Sequence, residues 1–192
     1  MKNILIVNGH PDKESFNWAL SESYTKGAIM AGAKVETINL IDLKFDPNLK
    51  YGYRIPYPLE PDLEGAITKI KDADHIVWFF PMWWYGTPAL LKGFIDRTFL
   101  PGVTFKYQKG KVFPNKLLKG KTSRMVITSD TVSWYHSLIM KKPVINHMKK
   151  GVLEFCGIKP VKTTYLAPVK SSSLKQRKKW LYQVGKLGEQ LK

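Results

Sequence analysis

Cysteine is almost absent: Cys156 stands alone in 192 residues. No intrachain disulfide can form and no cysteine-based metal site can be built, so the cytoplasm is the default compartment. Within Leu153-Glu154-Phe155-Cys156-Gly157 it reads as a small buried hydrophobe ahead of a helix-ending glycine, with no chemistry of its own. Long apolar runs are missing too. The stretch from Met1 to Gly9 is too short for a signal peptide or a membrane span and has no small-residue cleavage pattern, so it reads as a first strand. The four histidines and one cysteine form no metal-ligand cluster, and no nucleophile and base stand at hydrolase spacing. These absences set aside metalloenzymes and hydrolases, and no metal is expected. Carboxylates are scarce: 15 Asp+Glu against 31 Lys+Arg give a net charge of +16. That balance favours an anionic partner such as a nucleotide cofactor, a membrane surface or nucleic acid. No nucleic-acid reading motif accompanies it, so no nucleic-acid partner is expected. The densest basic run, Lys175-Gln176-Arg177-Lys178-Lys179, lies in an amphipathic helix whose apolar face is Leu174, Leu181, Val184 and Leu191; a solvated helix face is its plainest reading.

What is present is enough apolar residue for one α/β domain over residues 1–192, 44% of the chain being hydrophobic. Ile4 to Val7 is followed by Phe16, Leu20, Tyr24 and Ala28 at four-residue spacing, then Gly32 as a stop and Val35 to Leu40, which together make a βαβ unit. His75 to Phe80, Met125 to Thr128 and Thr163 to Leu166 are further short apolar runs, each with a helix candidate behind it. Continuous rather than alternating apolar strands predict a parallel sheet covered on both faces. Thr87-Pro88 is expected to open the third helix, Thr as a cap and Pro at the first helical position. About five parallel strands with helices on both faces predict the doubly wound, flavodoxin-like order 2-1-3-4-5, in which ligands sit beyond the carboxyl ends of the strands. Two excursions, Asp42 to Pro61 and Leu100 to Lys121, are long enough to be functional loops.

The loops after strands one, three and four are therefore where chemistry is expected. The first, Asn8-Gly9-His10-Pro11-Asp12-Lys13-Glu14-Ser15-Phe16-Asn17, runs directly into a helix. Free backbone N–H groups, the positive end of the helix dipole and the side chains of His10, Ser15 and Asn17 suit a phosphate, although Ser15 is equally a plain helix cap and His10 a plain loop residue. The glycine-rich dinucleotide fingerprint is missing, so a side-chain-assisted phosphate loop of flavin type fits better. The second, Phe80-Pro81-Met82-Trp83-Trp84-Tyr85-Gly86-Thr87-Pro88, places large aromatics where a structural connection usually carries polar residues. A flat isoalloxazine is a partner for them, with one indole expected on the flavin and one toward the core or another subunit.

These two segments, and the run Ala89-Leu90-Leu91-Lys92-Gly93-Phe94-Ile95-Asp96-Arg97 that follows, resemble the NAD(P)H:quinone oxidoreductase (DT-diaphorase-like) branch of flavodoxin-like proteins over nearly the whole chain. The resemblance implies a homodimeric flavoenzyme with alternating hydride transfer to and from flavin N5. It implies flavin contacts at His10, Phe16, Asn17, Pro81, Met82, Trp83 and Trp84, joined by Ser15 from the reading above. Phe105 and Tyr107 would line the substrate pocket from the neighbouring subunit. After strand four the sequence departs from that pattern: Thr128-Ser129-Asp130-Thr131-Val132-Ser133-Trp134-Tyr135 replaces a Thr-Thr-Gly-Gly segment, and the histidine expected a turn later is missing. Tyr135 alone is carried over, as cofactor contact and catalytic residue; His136 follows it directly.

The expected activity is two-electron transfer from NAD(P)H through a flavin to a quinone or similar small acceptor. The alternatives are an ancillary regulatory oxidoreductase subunit of a potassium-efflux transporter, peripherally associated with the membrane, and a flavodoxin-type electron carrier. FMN is favoured over FAD, because no adenosine-binding addition follows the fifth strand and its helix and only Tyr51, Tyr53 and Tyr57 in the Asp42 to Pro61 excursion offer to stack an adenine.

Overall fold

The computed structural model describes residues 1–191. Its main sheet has five parallel strands in the order β2-β1-β3-β6-β7, formed by β1 (Asn3–Asn8), β2 (Lys34–Asn39), β3 (His75–Pro81), β6 (Thr122–Thr128) and β7 (Val161–Leu166). In sheet order this is the predicted 2-1-3-4-5. Every residue of the central β3 is buried, because alternate side chains enter opposite cores. Ile76, Trp78 and Phe80 pack with Leu5, Val7 and Met125 under α2 (Pro61–Asp72), α3 (Ala89–Thr98) and a long broken helix. That helix runs through α4 (Pro143–Asn146), a π-helical stretch (His147–Leu153) and α5 (Glu154–Cys156), where Gly157 ends it at φ 109°. Val77 and Phe79 pack with Ile4, Ile6 and Val126 under α1 (Phe16–Met30) and α6 (Leu174–Glu189).

The helices α1 and α6 touch backbone to backbone. A Cβ on Gly27 would lie 2.2 Å from the Gly185 carbonyl oxygen, and one on Gly188 would lie 2.2 Å from that of Tyr24. Ser23 Oγ donates across the same seam to the Leu181 carbonyl at 2.8 Å. The buried stripe of α6 is Trp180, Val184 and Gly188, a strict four-residue repeat. Leu174, expected on that face, is exposed, because it sits in the opening turn, ahead of the stretch packed on α1.

One further expectation is corrected, and one excursion proves to carry a short ladder. The third helix begins at Ala89, with Pro88 still extended (φ −52°, ψ 146°) and no side-chain cap from Thr87. The preceding chain is held in a tight Trp83–Gly86 turn, from which it runs out extended before it can coil. The Leu100 to Lys121 excursion carries a small antiparallel ladder, β4 (Phe105–Lys106) with β5 (Asn115–Lys116).

The Asp42 to Pro61 excursion is fastened to α3 by one guanidinium. Arg97, 1% exposed, donates to the Asp46 carbonyl at 2.6 Å on one limb and to the Pro58 carbonyl at 2.9 Å and Glu60 Oε2 at 2.7 Å on the other. Tyr57 covers its face at 4.4 Å and Tyr51 packs edge-on against Tyr57. Pro47 fits against Gly93, where any Cβ would come within 2.4 Å.

Candidate functional site

The carboxyl ends of β1, β3 and β6 deliver three loops to one edge of the sheet, and specific bonds tie the three together. Met82 N–H donates to the Thr128 carbonyl at 2.8 Å, joining the ends of β3 and β6. Asn17 Nδ2 donates to Thr128 Oγ1, joining the start of α1 to the same point. The His10 ring stands edge to face against Trp83 at 5.7 Å, closing the first loop on the second. Of the residues expected to form the site, His10, Asn17, Met82 and Trp83 are thereby brought together, with Pro81 buried beneath them. Phe16 turns toward α6, its ring 6.1 Å from Trp180 and 5.9 Å from the Arg177 guanidinium.

The first loop is folded by its own side chains. Asp12 Oδ1 accepts from Glu14 N–H at 2.9 Å, and His10 Nδ1 accepts from Asp12 N–H at 3.0 Å. An accepting Nδ1 places the ring's proton on Nε2. Burial lowers the pKa of His10 below the usual histidine value, against the opposing pull of Asp12, so the ring is neutral at pH 7.

Ser15 occupies the N-cap position of α1, yet its hydroxyl makes no capping bond. Ser15 Oγ and Asn17 Oδ1 are both buried without a partner, a costly arrangement unless something else supplies one. No acidic residue lies in the first turn of α1, whereas α2 carries Asp62 and Glu64 there. The positive end of α1 is thus left open to an external anion. Because the Thr128 hydroxyl both donates and accepts, the Asn17 amide can turn end for end without losing that bond, and so offers an acceptor to a sugar hydroxyl or N–H groups to a phosphate.

In the second loop Trp83 and Gly86 exchange both backbone bonds, N–H to O at 3.1 and 2.8 Å, around Trp84 and Tyr85. Both central residues have positive φ, 48° and 60°, as in the turn type that normally selects Asn-Gly. Bulky residues at such angles carry strain of order 1–3 kcal/mol each, and they cluster where function holds them. Trp84 is 100% exposed and packs on nothing among the described residues, while Trp83 is half-exposed.

The third loop leads from β6 into a π-helical turn, Tyr135–Ile139. Tyr135 and Trp134 are exposed, edge to face at 5.7 Å. His136 points the other way: it is 2% exposed and stacks flat on Tyr165 at 4.5 Å with 7° between planes. Its Nε2 has no partner, a feature that adjacency to Tyr135 alone did not disclose. Of the expected substrate-pocket pair, Phe105 is buried in this chain's own core against Phe155 at 5.0 Å, and only Tyr107 is exposed.

The model of the family described as Flavodoxin-like fold matches residues 2–186, and the chain belongs to that family. Within it, the chain sits beside the NAD(P)H:quinone oxidoreductases. It is 28% identical to NAD(P)H dehydrogenase [quinone] 1 of Cavia porcellus over 82% of this chain and 65% of that protein, so it spans about two thirds of that relative's length. Among solved structures, Smu.1420 from Streptococcus mutans UA159 superposes with a TM-score of 0.85 at 30% identity, covering 98% of this chain and 99% of that one. An FMN-dependent NADH-azoreductase from Bacillus anthracis str. Ames Ancestor, in complex with FMN, shares the fold at 17% identity and a TM-score of 0.77, over 100% of this chain and 99% of that one. No helix among the described residues is long and apolar enough to cross a membrane.

Proposed function

We propose that this protein is a flavin-dependent NAD(P)H oxidoreductase that reduces a quinone or similar small acceptor. The observation that carries the reading is the pair of orphaned buried oxygens, Ser15 Oγ and Asn17 Oδ1, at an acid-free helix start tied to a strained turn that carries a wholly exposed Trp84. Phosphate suits the open N–H groups and the Ser15 hydroxyl, a ribityl hydroxyl suits Asn17, and a flat ring suits Trp83 and Trp84. When bound at Ser15, Asn17 and the Trp83–Trp84 turn, a flavin would supply the two-electron hydride chemistry between NAD(P)H and the acceptor. The protein's own part is positioning. Pro81 and Met82 set the floor of the site through the Thr128 bond, and the indoles of Trp83 and Trp84 exclude water from the ring edge. Tyr135, exposed at the start of the π-helical turn after β6, is the hydroxyl proposed to hydrogen-bond the ring or the acceptor oxygen, which needs a proton to match each hydride. The acceptor gains one hydride and one proton, and NAD(P)H leaves oxidised.

FMN is the preferred cofactor. Tyr57 and Tyr51 are engaged around Arg97, which leaves Tyr53 alone of the three tyrosines proposed to stack an adenine. Exposed Tyr107, Phe113 and Trp134 support a homodimer, in which a second copy would cover surplus aromatic surface. The test is an absorption spectrum of the purified protein with mass identification of the heat-released flavin. Stoichiometric FMN is the expected result, FAD would overturn the cofactor choice, and a protein that neither retains nor rebinds flavin would overturn the function. Ser15→Ala with Asn17→Ala should weaken flavin binding by about 1.5–3 kcal/mol per lost bond while leaving the fold intact, read by fluorescence titration beside a urea melt.

A further inference from the structure

Behind the third loop, on the side away from the flavin reading, lies a cleft of about 770 Å³ between the edge strand β7 and the helix that begins at α4. Lys142, Lys149, Lys150 and Lys162 line it, with Asn146 and the buried His136. None of these four lysines has a carboxylate within salt-bridge distance among the described residues. The backbone at Lys141 and Lys142 is held at φ 55° and 56°, a conformation lysine seldom adopts, and it brings the chain round into α4.

A lysine cluster on a helix face is ordinarily no more than a solvated surface. Here a second observation accompanies it. The imidazole of His136 is buried to within 2% of complete and pinned against Tyr165, and its Nε2 is left without any partner while it lines the same cleft. A buried polar atom without a bond is destabilising, and like charges gathered without counter-charge repel one another. One ligand class relieves both. A phosphate group brings negative charge for the lysines and oxygen acceptors for an imidazole N–H, for ammonium groups and for the Asn146 amide. The cleft's volume admits a molecule of nucleotide size, not only a bare anion.

We propose that this cleft is a binding site for a small phosphate-bearing ligand, held by Lys142, Lys149, Lys150 and Lys162 with His136 at its floor. The site is independent of the flavin reading, because it uses none of the residues assigned to the flavin. It is nevertheless joined to them through the chain: His136 and Tyr135 are adjacent in one π-helical turn, and the His136 carbonyl accepts from Lys142 N–H at 2.9 Å. A ligand oxygen that reaches the covered Nε2 must shift this turn slightly, and Tyr135 moves with it.

The experiment is a titration of the full chain with inorganic pyrophosphate at fixed ionic strength, followed by calorimetry and by the imidazole signals of its four histidines in NMR. The expected result is saturable binding that shifts the His136 resonances, from which the affinity of this cleft is read; a second equivalent held at the start of α1 would leave them in place. Lys149→Gln with Lys162→Gln should weaken binding at least tenfold, while Lys178→Gln with Lys179→Gln on α6, which removes the same charge elsewhere, should change it less than twofold. The proposal is overturned if pyrophosphate does not bind, if the His136 signals stay in place, or if the two double variants weaken binding equally.

Discussion

Trp84 and its neighbour Tyr85 occupy backbone angles that favour glycine and asparagine, and Trp84 has no packing among the described residues to offset the strain. Replacing it with the turn's preferred residue separates folding from function. Trp84→Asn should raise stability by roughly 0.5–1 kcal/mol in a urea melt, since nothing buried is lost, and should weaken flavin retention. A variant less stable than the parent would mean that the indole is packed in solution. The sequence disclosed which residues gather at this edge, because Phe80-Pro81-Met82-Trp83-Trp84-Tyr85-Gly86 is an improbable run for a connection. It could not disclose which of the two tryptophans is wholly exposed, since that follows from a turn whose dihedrals oppose local preference. Nor could it show that Ser15 forgoes its capping bond, because the same serine in a plain helix start reads identically.

Strands were the most legible elements: Ile76 to Phe80 and Ile4 to Val7 are continuously apolar because both faces of the sheet are covered, and the order followed from that pattern. The helix packing was not legible, because glycine in a helix reads as a weakness until its neighbour is known. Gly27 and Gly188 are needed for the close approach of α1 and α6, whereas Gly65 in α2 has open space around its missing Cβ. Gly27→Ala and Gly188→Ala should therefore each cost about 1–3 kcal/mol through forced separation of the helices, and Gly65→Ala should gain roughly 1 kcal/mol from helix propensity. Chemical denaturation of the three variants checks the contrast, and a stabilised Gly27→Ala would show that the seam is looser than described.

Across the whole molecule, an excess of positive charge meets a buried histidine. His75 sits at the start of β3 with Nδ1 2.6 Å from Thr122 Oγ1 and Nε2 unpartnered. Burial first, then Lys2, Arg124 and Lys162, push its pKa down to about 4 from the ordinary 6.5. The unfolded chain therefore takes up a proton between those values that the folded chain refuses. The stability His75 provides is complete above pH 6.5 and is lost as the pH falls toward 4, by about 3 kcal/mol at most. His75→Gln should flatten that part of the stability curve; an unchanged slope in pH-dependent urea melts would assign the loss to the other histidines, which burial shifts in the same direction.

The grip of Arg97 on both limbs of the Asp42 to Pro61 excursion has a consequence for how the chain can be cut. One guanidinium holds Asp46 before the exposed tip and Pro58 and Glu60 after it, so the peptide bonds between them carry little of the fold. Limited trypsin should nick at Lys50 or Arg54 first, and the two fragments should stay together, because β1 from one piece, with β2 along its far side, pairs with β3 from the other. The same tip is then the place to open new termini in a circularly permuted chain, with Arg97 doing from within the protein what the broken peptide link did along it.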